Sequence, residues 1–374
     1  DDNTKMKISL ISSLLLSIGC TEAFSLAPST SQARLSASLL SAKADINEDA
    51  PSNVMNRRDA LRNSVLALAS GIAVSGMTPP KAFAEEGGMG SSPEHPIVVL
   101  GAGGRCGLLC TKILAKKGLY VKAVTRSGRS VLDESNKFVS YGAGDVTKPS
   151  SLADAVSGSS GVIFAASASK NGGDAAHVDY LGVANTADAC IAKKVPKLAV
   201  ISSGAVTRPT SIGFKITNVF GRIMDYKIAG ETELRNAYAA ANDASLKYTV
   251  VRPGGLSDEA SKGPAGVEVS QGDILSAEIG REDVAEVTVA ALLSSATDNA
   301  TLECYGSGGE TLFGQKTGPS KLAKDLPDPS QYKHLSGESY ERLFDGVLSD
   351  ADMLKTGIVS DYKGVKVEPL ASLM

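Results

Sequence analysis

The sequence predicts an α/β fold with a parallel sheet, and two observations carry this prediction. Short apolar, β-rich runs alternate with helical stretches between residues 97 and 251. Such alternation is typical of a parallel sheet with helices on both faces. A glycine-rich loop, residues 101–107, also follows the first apolar run directly and opens the first helix. We therefore expect a Rossmann-type doubly wound parallel sheet, in a single domain with a small C-terminal extension.

The individual elements follow from the spacing of apolar residues. The predicted strands cover residues 97–100, 120–125, 138–141, 162–166, 198–202 and 248–251. The predicted helices between them cover residues 104–117, 151–156, 175–194 and 227–241. Beyond Pro253 the alternation loosens, and only two further helices are predicted, over residues 284–293 and 337–347.

Composition excludes several classes of function. Of the 374 residues, 43% are hydrophobic and 21% are charged, and the net charge is -3. Without an excess of basic residues, no nucleic-acid surface is expected. The five cysteines form no CxxC pair and have no histidine at zinc-ligand spacing, so we predict no metal site. Cys106 and Cys110 are interpreted as packing residues, with a redox pair as the alternative.

The first 84 residues are predicted to be targeting signals. Residues 1–23 read as a signal peptide that starts at Met6, because Lys7 precedes an apolar run too short to span a bilayer. Residues 24–55 are rich in Ser, Ala and Leu and read as a transit segment. The Ala23-Phe24 junction resembles the bipartite plastid presequences of algae with complex plastids.

A second signal is predicted over residues 56–84. It contains Arg57-Arg58, an apolar stretch and the ending Ala82-Phe83-Ala84, and it resembles a twin-arginine thylakoid signal. An amphipathic linker helix or a retained anchor is the alternative. We thus expect a plastid protein, in the thylakoid lumen or associated with thylakoids, with the stroma as alternative and no transmembrane helix in the mature chain. Residues 85–95 would be a linker, 96–305 the nucleotide-binding domain, and 306–374 an extension that packs on the domain or on a partner.

The glycine loop predicts a dinucleotide site. Its sequence is Gly101-Ala102-Gly103-Gly104-Arg105-Cys106-Gly107. In this pattern Gly101 permits the tight turn, Gly104 the close approach of a pyrophosphate, and Gly107 the packing of helix on strand. The pyrophosphate would lie at the helix N-terminus, where backbone N–H groups point outward.

The end of the second strand indicates which dinucleotide is bound. A carboxylate there binds the 2′-hydroxyl of NAD, whereas a basic residue accepts the 2′-phosphate of NADP. This chain has Arg126 at that place, with Arg105 and Arg129 as candidate assistants. The sequence therefore favours NADP(H) over NAD(H), and a solvated surface arginine is the alternative interpretation of Arg126.

Six further motifs follow the glycine loop in order, and they occupy residues 144–146, 178–185, 200–204, 226–231, 248–256 and 280–285. With the loop, they resemble the atypical short-chain dehydrogenase/reductases of the NmrA-like NAD(P)-binding family, in particular its plastid members. The resemblance covers most of residues 97–293. It implies a role for each of these residues: Asp145 and Val146 at the adenine, Ala165 and Ala166 along the adenosine ribose, Ser202 and Ser203 beneath the nicotinamide, Lys227 at its ribose, and Pro253, Gly254 and Gly255 at the carboxamide.

The chain departs from the parent superfamily at the acid/base pair. There a tyrosine precedes a lysine by four residues, and the ammonium lowers the pKa of the phenol. Here Gly230 stands four residues after Tyr226, and the adjacent Lys227 points about 100° away on a helix. Lys227, Ser203 and Tyr226 remain the candidate catalytic residues. His177 and Tyr180 are further candidates that we interpret as packing or surface residues.

Three classes of function remain. The first, slightly favoured, is an NADP(H)-dependent oxidoreductase that acts on a small plastid metabolite. The second is a non-catalytic, NADPH-sensing scaffold or assembly factor for thylakoid complexes. The third, least favoured because the loop and Arg126 are intact, is a structural protein that has lost the nucleotide. The expected partner is accordingly a small-molecule substrate or a thylakoid protein complex, and no nucleic acid.

Overall fold

The computed structural model describes residues 88–169, 173–274, 277–308, 333–357 and 364–374. The three targeting segments predicted within residues 1–84 lie outside the described residues. Within the described ranges, every helix is too short or too polar to cross a bilayer.

A nine-stranded sheet forms the centre of the fold, and its strands lie in the spatial order Lys333–Ser336, Val267–Gln271, Ala300–Gly306, Lys247–Pro253, Lys197–Ile201, Gly161–Phe164, Ile97–Leu100, Val121–Thr125 and Val139–Ala143. The first six strands are β1 (Ile97–Leu100), β2 (Val121–Thr125), β3 (Val139–Ala143), β4 (Gly161–Phe164), β5 (Lys197–Ile201) and β6 (Lys247–Pro253). They run parallel, and so does β10 (Ala300–Gly306) beside β6. The predicted α/β class and doubly wound parallel core are confirmed.

The sheet separates two apolar cores, as the pattern of β1 illustrates. All four residues of β1 are buried, because a central parallel strand is covered on both faces. Successive side chains point to opposite faces. Ile97 and Val99 belong to one apolar cluster, whereas Val98 and Leu100 belong to the other.

Helices cover both faces of the sheet. They are α1 (Arg105–Lys116), α2 (Pro149–Val156), a π-helix (Ala176–Leu181) that continues into α3 (Gly182–Ala192), α4 (Ile212–Asn218), α5 (Ile223–Ala241), α6 (Arg281–Leu293), α7 (Tyr340–Leu343) and α8 (Asp350–Lys355). The prediction of one helix over residues 337–347 was wrong. The helix that Ser339 caps ends after Leu343, and Gly346 adopts a φ of 83°, which a helix cannot continue through.

The strands after Pro253 were not predicted. A short parallel pair, β7 (Gly255–Ser257) and β9 (Glu278–Gly280), stands apart from the main sheet. Strand β8 (Val267–Gln271) pairs antiparallel with β10 and with β11 (Lys333–Ser336). Buried carboxylates interrupt the apolar runs of these strands, at Glu268 in β8 and Glu303 in β10, so their sequences lack the pattern of a core strand.

The described part of residues 306–374 packs into this same fold. β11 adds a strand to the sheet, and Leu343 and Phe344 are buried in the core. The Asp350 carboxylate accepts hydrogen bonds from Thr301, Arg235 and Tyr248. The C-terminal segment is therefore tied to β10, α5 and β6 by buried polar contacts.

Candidate nucleotide-binding site

The glycine loop bends sharply between β1 and α1. Gly101 adopts a φ of 80°, and a Cβ there would lie 2.7 Å from the backbone nitrogen of Ala166. A Cβ on Gly107 would overlap the carbonyl oxygen of Gly101. Only glycine fits at these two positions, because the loop turns against the end of β4 and α1 starts against the loop.

The space above the loop fits a pyrophosphate. Gly103, Gly104 and Arg105 are exposed to solvent. The first turn of α1 contains no acidic residue, and no side chain caps Gly104. The outward N–H groups of this turn are therefore available to an anion, and the helix dipole favours one there.

Ala165 and Ala166, predicted at the adenosine ribose, lie beside this loop. The Ala165 backbone N–H donates to the carbonyl of Leu100 at 2.9 Å. With Gly101 against Ala166, the ends of β1 and β4 form one continuous surface. The structure thus brings together two predicted parts of the site that lie about 65 residues apart in sequence.

Arg126 lies at the same edge of the sheet. It directly follows β2, whose last residue, Thr125, lies 3.6 Å from the place of a Cβ on Gly103. Arg126 and Arg129 are both exposed. Burial alone raises the pKa of Asp145, but hydrogen bonds from Thr147, with the charges of Lys148 and Arg126, lower it overall.

The other residues predicted near the adenine edge have different surroundings. Val146 is buried in the apolar core and packs against Gly182. The Arg105 guanidinium lies 3.7 Å from the carboxylate of Asp258, which also forms a 2.5 Å ion pair with the buried Arg281. Arg105 therefore contacts the segment after β7.

Lys227 lies in a small cavity at the carboxyl ends of β4 and β5. Phe164, Ser202 and Glu231 line this cavity together with Lys227 and Asp179. The Lys227 ammonium donates to the Asp179 carboxylate at 2.7 Å, and Asp179 is fully buried. The ammonium is therefore held in one position inside the cavity.

Asp179 owes its position to the π-helix that carries it. Its carboxylate also accepts hydrogen bonds from the Ser167 hydroxyl and the Ala168 N–H, both at 2.8 Å. Single-turn π-helices are rare and occur frequently at functional sites. Asp179 thus ties the loop after β4 to Lys227 of α5.

Ser202 is engaged in a second buried group of charges. Its hydroxyl donates to Glu231 at 2.5 Å, and Arg252 donates to both oxygens of the same carboxylate. Burial raises the pKa of Glu231, but the guanidinium groups of Arg252 and Arg235 and these hydrogen bonds lower it overall. Glu231 is therefore an anion, and Ser202 is a fixed donor to it.

Arg252 has a second carboxylate partner in Glu303, at 3.3 Å. Both side chains are fully buried. Burial, together with the nearby Asp273 carboxylate, raises the pKa of Glu303 to about 8 despite Arg252. Arg252 thus lies between Glu231, which Arg235 also binds, and Glu303, whose raised pKa makes it readily protonated.

This raised pKa predicts how stability depends on pH. A folded-state pKa above the unfolded value stabilises the fold at low pH, and that contribution is lost as pH rises through the folded pKa. We expect the stability contribution of Glu303 to be fully present below about pH 4.5 and to fall as the pH rises from there to about pH 8. Thermal unfolding across this range should show a smaller decline in Glu303→Gln than in the original chain. Parallel declines in both proteins would contradict the assignment.

Tyr226 does not face the cavity. Its hydroxyl donates to Glu368 of the C-terminal segment at 2.7 Å, and burial, together with this carboxylate, raises the pKa of the phenol. The residue four positions before Lys227 is Ile223, which packs against the same C-terminal segment. The face of α5 that carries Lys227 therefore offers no phenol at the usual spacing.

The remaining candidates have local partners. The Ser203 hydroxyl donates to the carbonyl of Gly204. The N–H of Gly204 donates to the carbonyl of Pro253 at 2.7 Å, so the ends of β5 and β6 meet here. Gly254 and Gly255 follow Pro253 into β7. His177 pairs with Asp174 at the surface, and Tyr180 is buried in an apolar cluster.

Cys106 and Cys110 sit on α1 beside the loop. Cys110 is fully buried in the core, Cys106 is half-buried, and burial raises the pKa of both thiols.

Among the residues that the structure describes, no group of three or more His, Cys, Asp or Glu side chains is arranged to hold a metal ion.

Comparison with known proteins shows the family of this chain. A family described as NAD(P)H-binding matches residues 101–295, just over half of the chain. An uncharacterized chloroplastic protein of Arabidopsis thaliana is 27% identical over 243 residues, which are 62% of this chain and 80% of that protein.

Two solved structures are similar in fold. The oxidoreductase ylbE of Lactococcus lactis is 19% identical, with a TM-score of 0.48, over 62% of this chain and 96% of that one. A short-chain dehydrogenase/reductase of Veillonella parvula in complex with NADP is 15% identical, with a TM-score of 0.46, over 60% and 99%. The family match extends from the glycine loop through α6, and the chain belongs to the NAD(P)H-binding family.

Proposed function

We propose that this protein is an NADP(H)-dependent oxidoreductase of the plastid that acts on a small molecule. The observation that carries the proposal is the Lys227 ammonium, held by buried Asp179 in a cavity beside Ser202. The cavity lies at the carboxyl ends of β4 and β5, where ligands bind in folds of this class. A dinucleotide bound along this edge of the sheet would supply a hydride beside these strand ends.

Different residues of this chain would bind the dinucleotide and orient the substrate. The first turn of α1 would bind the diphosphate, and Arg126 the 2′-phosphate. Lys227 would donate hydrogen bonds to the nicotinamide ribose, with its ammonium aimed by Asp179. Ser203, half-buried at the end of β5, would orient a substrate by exchanging its hydrogen bond to the Gly204 carbonyl, because the Ser202 hydroxyl is bound to the buried Glu231.

The preference for NADP(H) rests on Arg126. Arg126→Ala should weaken NADPH binding by about 1.5 to 3 kcal/mol, because a charge-assisted phosphate contact is lost, and should leave NADH binding nearly unchanged. Fluorescence titration of each variant with NADPH and NADH measures both affinities. Lys116→Ala is the matched control, since Lys116 is also an exposed basic residue but lies at the end of α1 that is far from the glycine loop. Equal losses for the two dinucleotides would refute the role of Arg126.

Turnover is tested by incubating the protein with NADPH and a panel of carbonyls, quinones and pigment precursors. Oxidation of NADPH by the original chain, and its loss in Lys227→Met, is the expected result. Binding of NADPH should survive in Lys227→Met with reduced affinity. Tight binding without oxidation of NADPH on any member of the panel would favour the second candidate.

That second candidate is an NADPH-sensing scaffold or assembly factor for thylakoid complexes. It is favoured by the hydrogen bond that Tyr226 donates to Glu368. This bond ties the tyrosine in the first turn of α5 to the C-terminal segment. In this case nucleotide occupancy would change the affinity for a protein partner, and no hydride would move. Loss of partner binding on removal of residues 364–374, with NADPH binding intact, would support it.

The plastid assignment rests on the predicted targeting segments and on the similarity to a chloroplastic protein. We propose the thylakoid lumen or the thylakoid surface as the location, with the stroma as the alternative. Import of the full chain into isolated plastids, followed by fractionation, distinguishes the three compartments.

A further inference from the structure

An exposed apolar patch lies between the two elements that carry Ser203 and Lys227. Ile212 is 50% exposed, Val219 79% and Phe220 42%. These are three of the six large hydrophobic side chains that are exposed in the described residues, and they fall within nine residues of sequence. We call residues 212–220 the apolar patch.

The fold holds these side chains outward. α4 is anchored from beneath by Phe214, which is buried with Val206, Met224 and Ile228. Ser211 caps the start of α4. The turn after it is closed by the Asn218 side chain, which accepts hydrogen bonds from the N–H groups of Met224 and Asp225. The three apolar side chains are therefore exposed on a segment that buried contacts and hydrogen bonds hold in place.

The charged side chains within the sequence of this segment are all basic. Residues 207–224 contain Arg208, Lys215 and Arg222 and no acidic residue, in a chain whose net charge is -3. Arg222 is paired with Asp225, and Arg208 lies 3.8 Å from Asp273. Lys215, within α4, is exposed and forms no ion pair with the described residues.

We propose that the apolar patch docks on an anionic lipid surface. Separated aliphatic and aromatic side chains can reach the acyl boundary, while the Lys215 ammonium stays at the level of the headgroups. The binding free energy then comes from buried apolar area and from attraction to anionic lipid. The exposed Lys215 ammonium, which lies within the apolar patch and forms no ion pair with the described residues, favours an anionic occupant over a neutral apolar surface of a protein.

A position-specific reporter tests this directly, because the chain contains no tryptophan. Phe220→Trp in the full chain places a single tryptophan in the apolar patch. With vesicles of phosphatidylcholine and phosphatidylglycerol, its emission should shift to the blue and be quenched by brominated lipid. Leu354→Trp, at a side chain that is 60% exposed elsewhere, is the control and should show neither change. An unchanged emission spectrum of the Phe220→Trp variant would overturn the proposal, even if the predicted targeting segments bind the vesicles.

Removal of the apolar side chains provides a second measurement. Ile212→Ser/Val219→Ser/Phe220→Ser should reduce vesicle binding about tenfold or more, because most of the inserted apolar area is lost. Leu293→Ser/Leu354→Ser is the matched control, since it removes exposed leucines outside the patch. Equal binding of the two variants would overturn the proposal.

Lys215→Glu tests the charge. It should weaken binding severalfold on vesicles with phosphatidylglycerol and have little effect on phosphatidylcholine alone. Equal binding of the original chain to both kinds of vesicle would overturn the anionic requirement.

Discussion

Replacing Arg252 with methionine should lower the free energy of unfolding by about 3 to 5 kcal/mol. Arg252 is fully buried and donates hydrogen bonds to both Glu231 and Glu303. Without the guanidinium, the buried Glu231 carboxylate keeps only Arg235 as its counter-ion, and the buried Glu303 loses its hydrogen-bond donor. An unpaired buried charge costs far more than a surface ion pair contributes.

Urea unfolding followed by circular dichroism measures this loss. Arg222→Met is the control, because Arg222 also forms an ion pair but is 45% exposed, and it should change stability by about 1 kcal/mol or less. Arg252→Met combined with Glu231→Gln and Glu303→Gln should recover part of the loss. If Arg252→Met and Arg222→Met have the same free energy of unfolding, the contacts of Arg252 with Glu231 and Glu303 do not stabilise the fold as we expect.

Gly107→Ala should weaken NADPH binding about a hundredfold or more, equivalent to roughly 3 kcal/mol. The new Cβ would overlap the carbonyl oxygen of Gly101, so the loop and the start of α1 must move apart. The N–H groups of the first turn then no longer converge on the diphosphate.

The matched control is Gly103→Ala in the same loop. A Cβ on Gly103 meets only the Thr125 side chain, at 3.6 Å, which is an ordinary contact. Gly103→Ala should therefore fold with unchanged stability. Calorimetric titration of this variant with NADPH measures whether a methyl group at position 103 obstructs the bound nucleotide. Equal affinities of Gly107→Ala and the original chain would show that this loop does not hold the diphosphate.

The local parts of the candidate site could be predicted from sequence. The glycine loop, Arg126 and the strand ends depend on residues that are close in the chain, so their pattern is visible without the fold. The seven parallel strands of the main sheet include the six that were predicted, because each of these begins in a short, β-rich run that is visible in the sequence.

Other parts of the site depend on contacts between distant segments. Asp179 and Lys227 are 48 residues apart, and Glu231 and Arg252 are 21 apart. Asp179 and Glu231 lie within motifs noted in the sequence, but their partners could not be read from it. A charge inside a buried strand, as in Val251-Arg252-Pro253, was the one signal that a buried partner exists.

By itself, the sequence determined the fold class, the cofactor class and the absence of the usual tyrosine–lysine spacing, because periodicity and short motifs are local properties. Only the tertiary structure decided that Lys227 faces a cavity while its neighbour Tyr226 binds the C-terminal segment. It also decided that residues beyond 306 supply a strand and core side chains, and that β8 and β10 are strands despite buried acids. The physical reason is that burial and charge pairing are set by which segments pack together, and that packing is a property of the whole fold.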